Sequence, residues 1–353
     1  MEAFAGCIGT RSGEVIAMRI LYVIGLLCCM ACNLSAQEPF RVMFYNVENL
    51  FDTKDDSLKN DEEFLPDAPK KWTYHRYKEK LNRIAKVIIA SGDLHVPDLV
   101  GLSEVENDTC MRDLVKYSPL REAGYRYVMT DSPDQRGIDV ALLYQRGTFK
   151  LLNKEEISIP HEKLGRSPTR NILYVSGQVL SGDTLDVFVC HMPSRAGGEA
   201  KSEPYRMATC MVLKAAVDVV MSARMNPHVL IMGDFNDYPH NQSLTRYLGA
   251  SKPKKKTEPR ALYNLMYGKK GGTNRYRGEW GILDQIIVSG SVLDPSSTIH
   301  TTPEQAQIVR HPFLLEEDDK YGDDIPSRTY IGARYHGGYS DHLPVCVDLE
   351  IGQ

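Results

Sequence analysis

Short aliphatic runs, each closed by a polar residue and a turn former, set the pattern of this chain. The clearest is Val229-Leu230-Ile231-Met232, bounded by Asn226-Pro227 before it and, beyond Gly233-Asp234-Phe235-Asn236, by Tyr238-Pro239. A run that short, partly β-branched and bracketed by breakers predicts a buried strand. The same signature recurs at 41–45, 97–103, 125–128, 138–144, 172–180, 185–190, 285–288 and 343–347. Helical spacing appears in three places. Tyr77, Leu81, Ile84, Ala85, Ile88 and Ile89 predict an amphipathic helix over 75–90, and a short helix is expected near 109–117. Met207, Cys210, Met211 and Val217 mark the inner face of a third helix over 204–223. Asp52 to Lys71 reads as a solvated acidic loop without the glycine and ligand spacing of an EF-hand, and 291–339 reads as loop-rich. Strands and helices interleave with no repeat, low-complexity linker or break in composition, so one α/β domain is expected.

Ahead of that domain the pattern changes. Arg19 precedes an apolar stretch from Ile20 to Ala31, followed by the small residues of Asn33-Leu34-Ser35-Ala36. This predicts a secretory signal peptide over residues 1–36, with translation starting at Met1 or Met18, and a secreted or periplasmic domain over 37–353. The stretch is short for a bilayer span. Lipoprotein acylation at Cys32 is the alternative, ranked second because Cys29 matches poorly three positions earlier.

The composition, 42% hydrophobic and 25% charged, is that of a soluble globular chain. A net charge of −4 offers no global field to a polyanion, so any nucleic-acid contact requires a local basic patch. Cys7, Cys28, Cys29 and Cys32 fall in the signal segment, which leaves Cys110, Cys190, Cys210 and Cys346. These read as buried thiols, with one disulfide left open in an oxidising compartment.

The candidate chemistry lies where strands stop or start. Asn46, Glu48, Glu104, His191, Asp234 and Asn236 follow predicted strands, while Asp284, Asp341 and His342 precede them. On extended backbone, positions i and i+2 point the same way, which pairs Asn46 with Glu48 and Asp234 with Asn236. Taken singly, each has a plainer reading: an Asx turn, a solvated strand-end carboxylate, a structural histidine. Ends and starts of neighbouring antiparallel strands share one rim, so all nine can converge on one cleft. Carboxylates, amides and histidines without cysteine exclude a zinc-thiolate site and favour Mg²⁺, with Mn²⁺ or Ca²⁺ as alternatives. Arg136, Arg170, Ser194, Arg195 and Arg275 are candidates for anion binding; the last three lie in polar or glycine-rich loops.

Asn46-Val-Glu48, Ser103-Glu104, the His191 loop, Gly233-Asp-Phe-Asn236, Leu283-Asp284 and Ser340-Asp341-His342 occur in the order found in the endonuclease/exonuclease/phosphatase (DNase I-like) superfamily. The chain resembles that superfamily over roughly residues 40–350, with Glu48 where many members carry aspartate. The resemblance implies a four-layer α/β/β/α sandwich of two packed mixed β-sheets, and hydrolysis of phosphate esters by activated water with a divalent metal. It also implies roles: Glu104 as main metal ligand with Glu48, Asp341 and Asn46, and Asp234 orienting or deprotonating the water. His342, oriented by Asp284, would contact the phosphate or share the proton work. Asn236 would position water or a phosphate oxygen, and His191 would act near the leaving group.

A monomeric, secreted, metal-dependent phosphodiesterase is therefore expected, an endonuclease on DNA or RNA first. The loop His191-Met-Pro-Ser-Arg195 followed by Gly-Gly is similar to that of secreted bacterial nucleases in the superfamily. A sphingomyelinase-like enzyme is the second reading, with Pro312-Phe313-Leu314-Leu315 as its membrane element and the acidic run Glu316 to Asp319 against it. An inositol or sugar phosphatase is the third. A binding protein without catalysis would be expected to have lost some of the nine polar residues, and none is missing.

Overall fold

Burial on both faces explains the apolar runs. Along β1 (Phe40–Leu50), Val42 and Phe44 point to one side and Met43 and Tyr45 to the other, all fully buried. A strand covered on both sides loses the polar half of its alternation and reads as continuous. The computed structural model describes residues 38–160, 162 and 167–352; the expected signal segment and Cys32 lie outside the described residues.

After β1 come α1 (Tyr74–Ser91), β2 (Leu99–Val105), α2 (Asp108–Tyr117), β3 (Arg126–Met129), β4 (Asp139–Tyr144), β5 (Lys150–Ile157), β6 (Ile172–Gln178) and β7 (Thr184–His191). Then follow α3 (Glu199–Ala223), β8 (His228–Asp234), β9 (Ala250–Ser251), β10 (Leu262–Asn264), β11 (Asn274–Tyr276), β12 (Glu279–Gly281) and β13 (Asp284–Ser289). The remainder is β14 (Ile299–His300), β15 (Ala306–Ile308), β16 (Leu315–Glu317), β17 (Asp324–Pro326), β18 (Tyr330–Ile331), β19 (Arg334–Tyr335) and β20 (Val345–Ile351).

Two seven-stranded mixed sheets result. One runs β14-β20-β1-β2-β4-β3, with β15 also on β20; the other runs β5-β6-β7-β8-β13-β10-β9. Within them β1–β2, β7–β8 and β9–β10 are parallel. Val42, Phe44, Leu142 and Val347 of the first sheet meet Val175, Val187, Leu230 and Ile286 of the second in the middle of the sandwich. Outside the first sheet, Met43, Tyr45 and Leu102 are covered by Leu81, Ile84 and Ile88 of α1 and by Met111 and Leu114 of α2. Outside the second, Phe188 and Ile231 are covered by Cys210, Leu213 and Val217 of α3. The order is helix, sheet, sheet, helix, the four-layer sandwich expected.

Several local expectations change. Ile89 and Met211, read as inward, are 43% and 56% exposed. The third helix starts at Glu199 and carries Pro204 within it. Strand β5 was not foreseen because Lys154, Glu155 and Glu156 make it polar, the composition of a protected sheet edge. The last strand begins at Val345, after Pro344, whose missing N–H cannot join a ladder. The acidic 52–71 stretch is exposed at many positions but anchored by Phe64, stacked on Phe51 with centroids 4.1 Å apart. All four cysteines of the domain are buried and free. No helix among the described residues is long and apolar enough to cross a membrane.

Candidate active site

Strand register sets the first row of chemical groups. His191 at the end of β7 pairs with Asp234 at the end of β8, and Asp234 pairs with Asp284 at the start of antiparallel β13. Three neighbouring strands therefore present three polar side chains on one rim. Gly233 keeps β8 close to β7, since a Cβ there would collide with the Cys190 carbonyl.

His342 enters this row from the segment ahead of β20. That segment is tied down by a backbone bridge from His342 to Asn274 and by Ser340, whose hydroxyl donates to the Asn46 carbonyl at 2.7 Å. The Nδ1 of His342 lies 2.7 Å from Asp284 Oδ2. An ionised carboxylate only accepts, so Nδ1 carries the hydrogen, and Nε2 faces Asp234 Oδ2 at 3.9 Å. Asp234 Oδ1 accepts the Asn236 backbone N–H at 2.8 Å, and its Oδ2 accepts Asn46 Nδ2 at 3.1 Å. His191 Nε2 stands 3.6 Å from the same Oδ2.

Burial and neighbours split these groups electrostatically. Burial, reinforced by Asp284 against the opposing pull of His342, pushes the Asp234 carboxyl up to about 7. Burial disfavours the His342 imidazolium, yet Asp284 and Asp234 together hold its pKa well above the usual histidine range. His191 is driven well below that range by burial, with Arg170, Arg136 and His342 adding to the effect. The surroundings thus favour the protonated form of His342 and disfavour that of His191, a distinction the sequence left open.

The first sheet contributes carboxylates through strained backbone. Strands β1 and β2 pair evenly to Asn46 and Ser103, then lose register. Beyond that point Glu48, Asn49 and Glu104 are left-handed, with φ of 52°, 60° and 64°, and Asn236 on the facing sheet has φ of 50°. Each such non-glycine residue costs of order 1 kcal/mol, and strain of this kind collects where side chains must be aimed. Glu104 Oε2 accepts the Asn49 N–H at 3.0 Å.

The left-handed turn also separates the expected pair Asn46 and Glu48. Asn46 reaches Asp234, while Glu48 turns the other way and accepts the Thr329 N–H at 2.6 Å. Asn236 departs from the simple i, i+2 picture as well, since its own N–H closes an Asx turn on Asp234. The plain reading of Asp-x-Asn, an Asx turn, holds, and both residues line one cleft.

A cleft of 710 Å³ collects most of the predicted residues: Glu104, Arg136, His191, Ser194, Arg195, Asp234, Asn236, Asp341 and His342. Asn46 and Asp284 stand behind it as hydrogen-bond partners of Asp234 and His342. Glu48 lines a separate 240 Å³ pocket with Arg328 and Lys70. Arg170 and Arg275 are not in the cleft lining. Arg170 is buried against Asp134 at 3.2 Å and the Met192 carbonyl at 2.6 Å, bracing the loop after His191. Arg275 is held by Asp318 at 3.4 Å and the Asp324 carbonyl at 2.9 Å. Tyr238, Tyr276, Glu199 and Glu279 also line the cleft and escaped sequence reasoning. Tyr238 sits in a loop, Glu199 at a helix start, and Tyr276 and Glu279 in a hairpin of three-residue strands, all too short or terminal to show a period.

A profile described as the endonuclease/exonuclease/phosphatase family matches residues 41–351. The chain belongs to this family. Phosphoester hydrolysis is the family's reaction. No curated protein matches the chain in sequence. Among solved structures, the mannosyl-6-phosphatase of Bacteroides thetaiotaomicron is similar at 17% identity and TM-score 0.54, over 88% of this chain and 99% of that one. D. rerio TDP2 in complex with a single-strand DNA product is similar at 14% identity and TM-score 0.53, over 88% and 98%. The human Nocturnin catalytic domain with bound sulfate reaches 18% identity and TM-score 0.52, over 88% and 94%. At these identities the likeness speaks to the shared fold.

Family members typically use divalent metal ions, and the donor atoms here can be tested for fit. Among the described residues, ligand atoms of Asp234, Asp284 and His342 lie within 4.8 Å of one another. Within this trio His342 Nδ1 and Asp284 Oδ2 are already engaged with each other at 2.7 Å. The second acidic group already grips positive charge: Arg328 lies 2.8 Å from Asp341 and 3.4 Å from Glu48, and Arg136 3.6 Å from Glu104. The oxygen donors are of the type a hard divalent ion takes. Glu48, Glu104 and Asp341 are drawn onto two separate arginines, however, and do not converge within 4.8 Å as the first trio does.

Proposed function

We propose that this protein is a divalent-cation-dependent phosphoester hydrolase. The observation that carries the reading is the row Asp284–His342–Asp234, with Asp234 and His342 lining the same cleft as Glu104 and Asp341. Asp234, with its oxygens held by Asn46 and the Asn236 N–H, takes the proton of the attacking water. His342, oriented by Asp284 and charged, donates to a phosphate oxygen. Neutral His191 and Asn236 hold the remaining polar atoms of the phosphate and water. Glu104 and Asp341, with Glu48 and Asn46, would hold the cation, which when bound neutralises charge on the phosphate.

For the substrate we propose a compact ester whose alcohol is polar and uncharged, such as a sugar phosphate. Five carboxylates and two arginines line the cleft. Arg195 is matched by Glu199 at 3.3 Å and Asp237 at 3.4 Å, and Arg136 donates to Asn49 at 2.6 Å. Glu199 and Glu279 would repel the next phosphate of a strand. The mannosyl-6-phosphatase among the similar structures accords with this reading. A nucleic-acid end is the second reading. Tyr238 and the 70% exposed Tyr276 favour it, because bases stack on such rings, and the similar TDP2 structure holds a single-strand DNA product. The lipid reading loses its membrane element, since Leu314 is buried and Phe313 packs against Tyr339.

The deciding experiment offers the purified protein, with Mg²⁺ or Mn²⁺, a sugar monophosphate, an inositol phosphate, an oligonucleotide and sphingomyelin vesicles in parallel. Faster turnover of the sugar ester is expected, and the double change Glu199→Gln/Glu279→Gln should shift preference toward the oligonucleotide. Oligonucleotide cleavage that already dominates in the unaltered protein would replace the first reading with the second. We further propose secretion on the strength of residues 1–36, to be checked by the N-terminal sequence of the mature protein.

A further inference from the structure

Glu104 and Asp341 line the cleft and Glu48 the neighbouring pocket, and the chain supplies its own cation, Arg328, to two of these three carboxylates. Arg328 donates from Nη2 to Asp341 Oδ2 at 2.8 Å and lies 3.4 Å through Nε from Glu48 Oε1. The backbone around it is fixed from several sides. The Thr329 N–H donates to Glu48 Oε2 at 2.6 Å, and the Thr329 carbonyl accepts from His336 and Gly337 at 2.9 and 3.0 Å. The Arg328 carbonyl accepts from Gly338 at 3.0 Å. From α1, the buried Lys80 donates to Thr329 Oγ1 at 2.5 Å and to the Tyr339 carbonyl at 2.7 Å.

Only the guanidinium end is left to move, and the side chain is 41% exposed. Thr329 holds one oxygen of Glu48, so the other oxygen is the one presented to a cation. A planar fork bridging two acids satisfies their mutual repulsion without an ion.

We propose that Arg328 is a competitor for the divalent-cation site built into the chain: its guanidinium and the ion claim the same oxygens of Glu48 and Asp341. The ion then binds by displacing this side chain from a loop that itself stays in place. The inference rests on the proposed role of these carboxylates as ion ligands.

The test is Mn²⁺ binding to the metal-stripped full chain, followed by calorimetry, for the unaltered protein, Arg328→Met and Arg328→Lys. Met keeps the aliphatic stem and removes the charge. It should tighten Mn²⁺ binding at least about fivefold, the lower end of ordinary coupling between competing ligands. Lys, which keeps the charge but cannot fork, should fall between. A second measurement needs no variant: phenylglyoxal modification of Arg328, read by peptide mass spectrometry, should quicken several-fold when Mn²⁺ is added. Unchanged or weaker binding in Arg328→Met, or unchanged modification with Mn²⁺ bound, overturns the proposal and leaves the metal reading standing. Absence of Mn²⁺ binding in all three proteins removes both.

Discussion

At the scale of single residues, Asp234 makes the pH dependence predictable. In the proposed mechanism Asp234 is the base and must be unprotonated to act, and its carboxyl is pushed up to about 7. Activity should therefore rise as pH passes upward through about 7, and lowering the pH should remove it as Asp234 takes up its proton. Asp234→Asn should cost at least ~10²-fold in turnover and erase this acid limb in a pH–rate profile. His342→Ala should cost a similar factor, because it removes the charged donor. Asp284→Asn should resemble it, since Asp284 is the largest influence holding that imidazole protonated. The two losses should be far from additive in the double mutant, as expected for a pair acting through one hydrogen bond. Additive losses in steady-state kinetics would show that they do not act as a unit.

At the scale of elements, the close approach of β7 and β8 is the feature to disturb. Gly233→Ala places a methyl against the Cys190 carbonyl and must push apart the strands that carry His191 and Asp234. A loss of about 1–3 kcal/mol in urea unfolding is expected, as for other forced insertions into packed cores, together with reduced turnover. This strand-end row was legible in the sequence because polar residues directly after apolar runs have few structural reasons to be there. The direction of Glu48 was not legible: it depends on a register break and a left-handed backbone, which leave no mark in residue type. Arg328 was hidden for a different reason, since it sits in a loop-rich stretch whose tertiary bonds, not periodicity, fix its place. Strand β5 was missed because edge strands adopt the polarity of loops.

At the scale of the molecule, the two sheets each carry part of the site. Asn46 and Glu104 come from one sheet and His191, Asp234 and Asp284 from the other. The proposed ion ligands come from β1, β2 and the segment ahead of β20, far apart in sequence, so the ion should bind the folded chain and not the unfolded one. Mn²⁺ should consequently raise the unfolding temperature in a concentration-dependent way. Glu104→Gln should abolish most of that shift while leaving the ion-free melting curve close to the original, and a full shift in the variant would remove Glu104 from the ligand set. The segment carrying Asp341 and His342 stands immediately ahead of β20, the final strand to be laid down between β1 and β14. A chain emerging from N- to C-terminus thus holds almost all of its sheet before His342 can meet Asp284 and Asp234. Under the proposed mechanism, a chain truncated ahead of β20 should therefore be inactive.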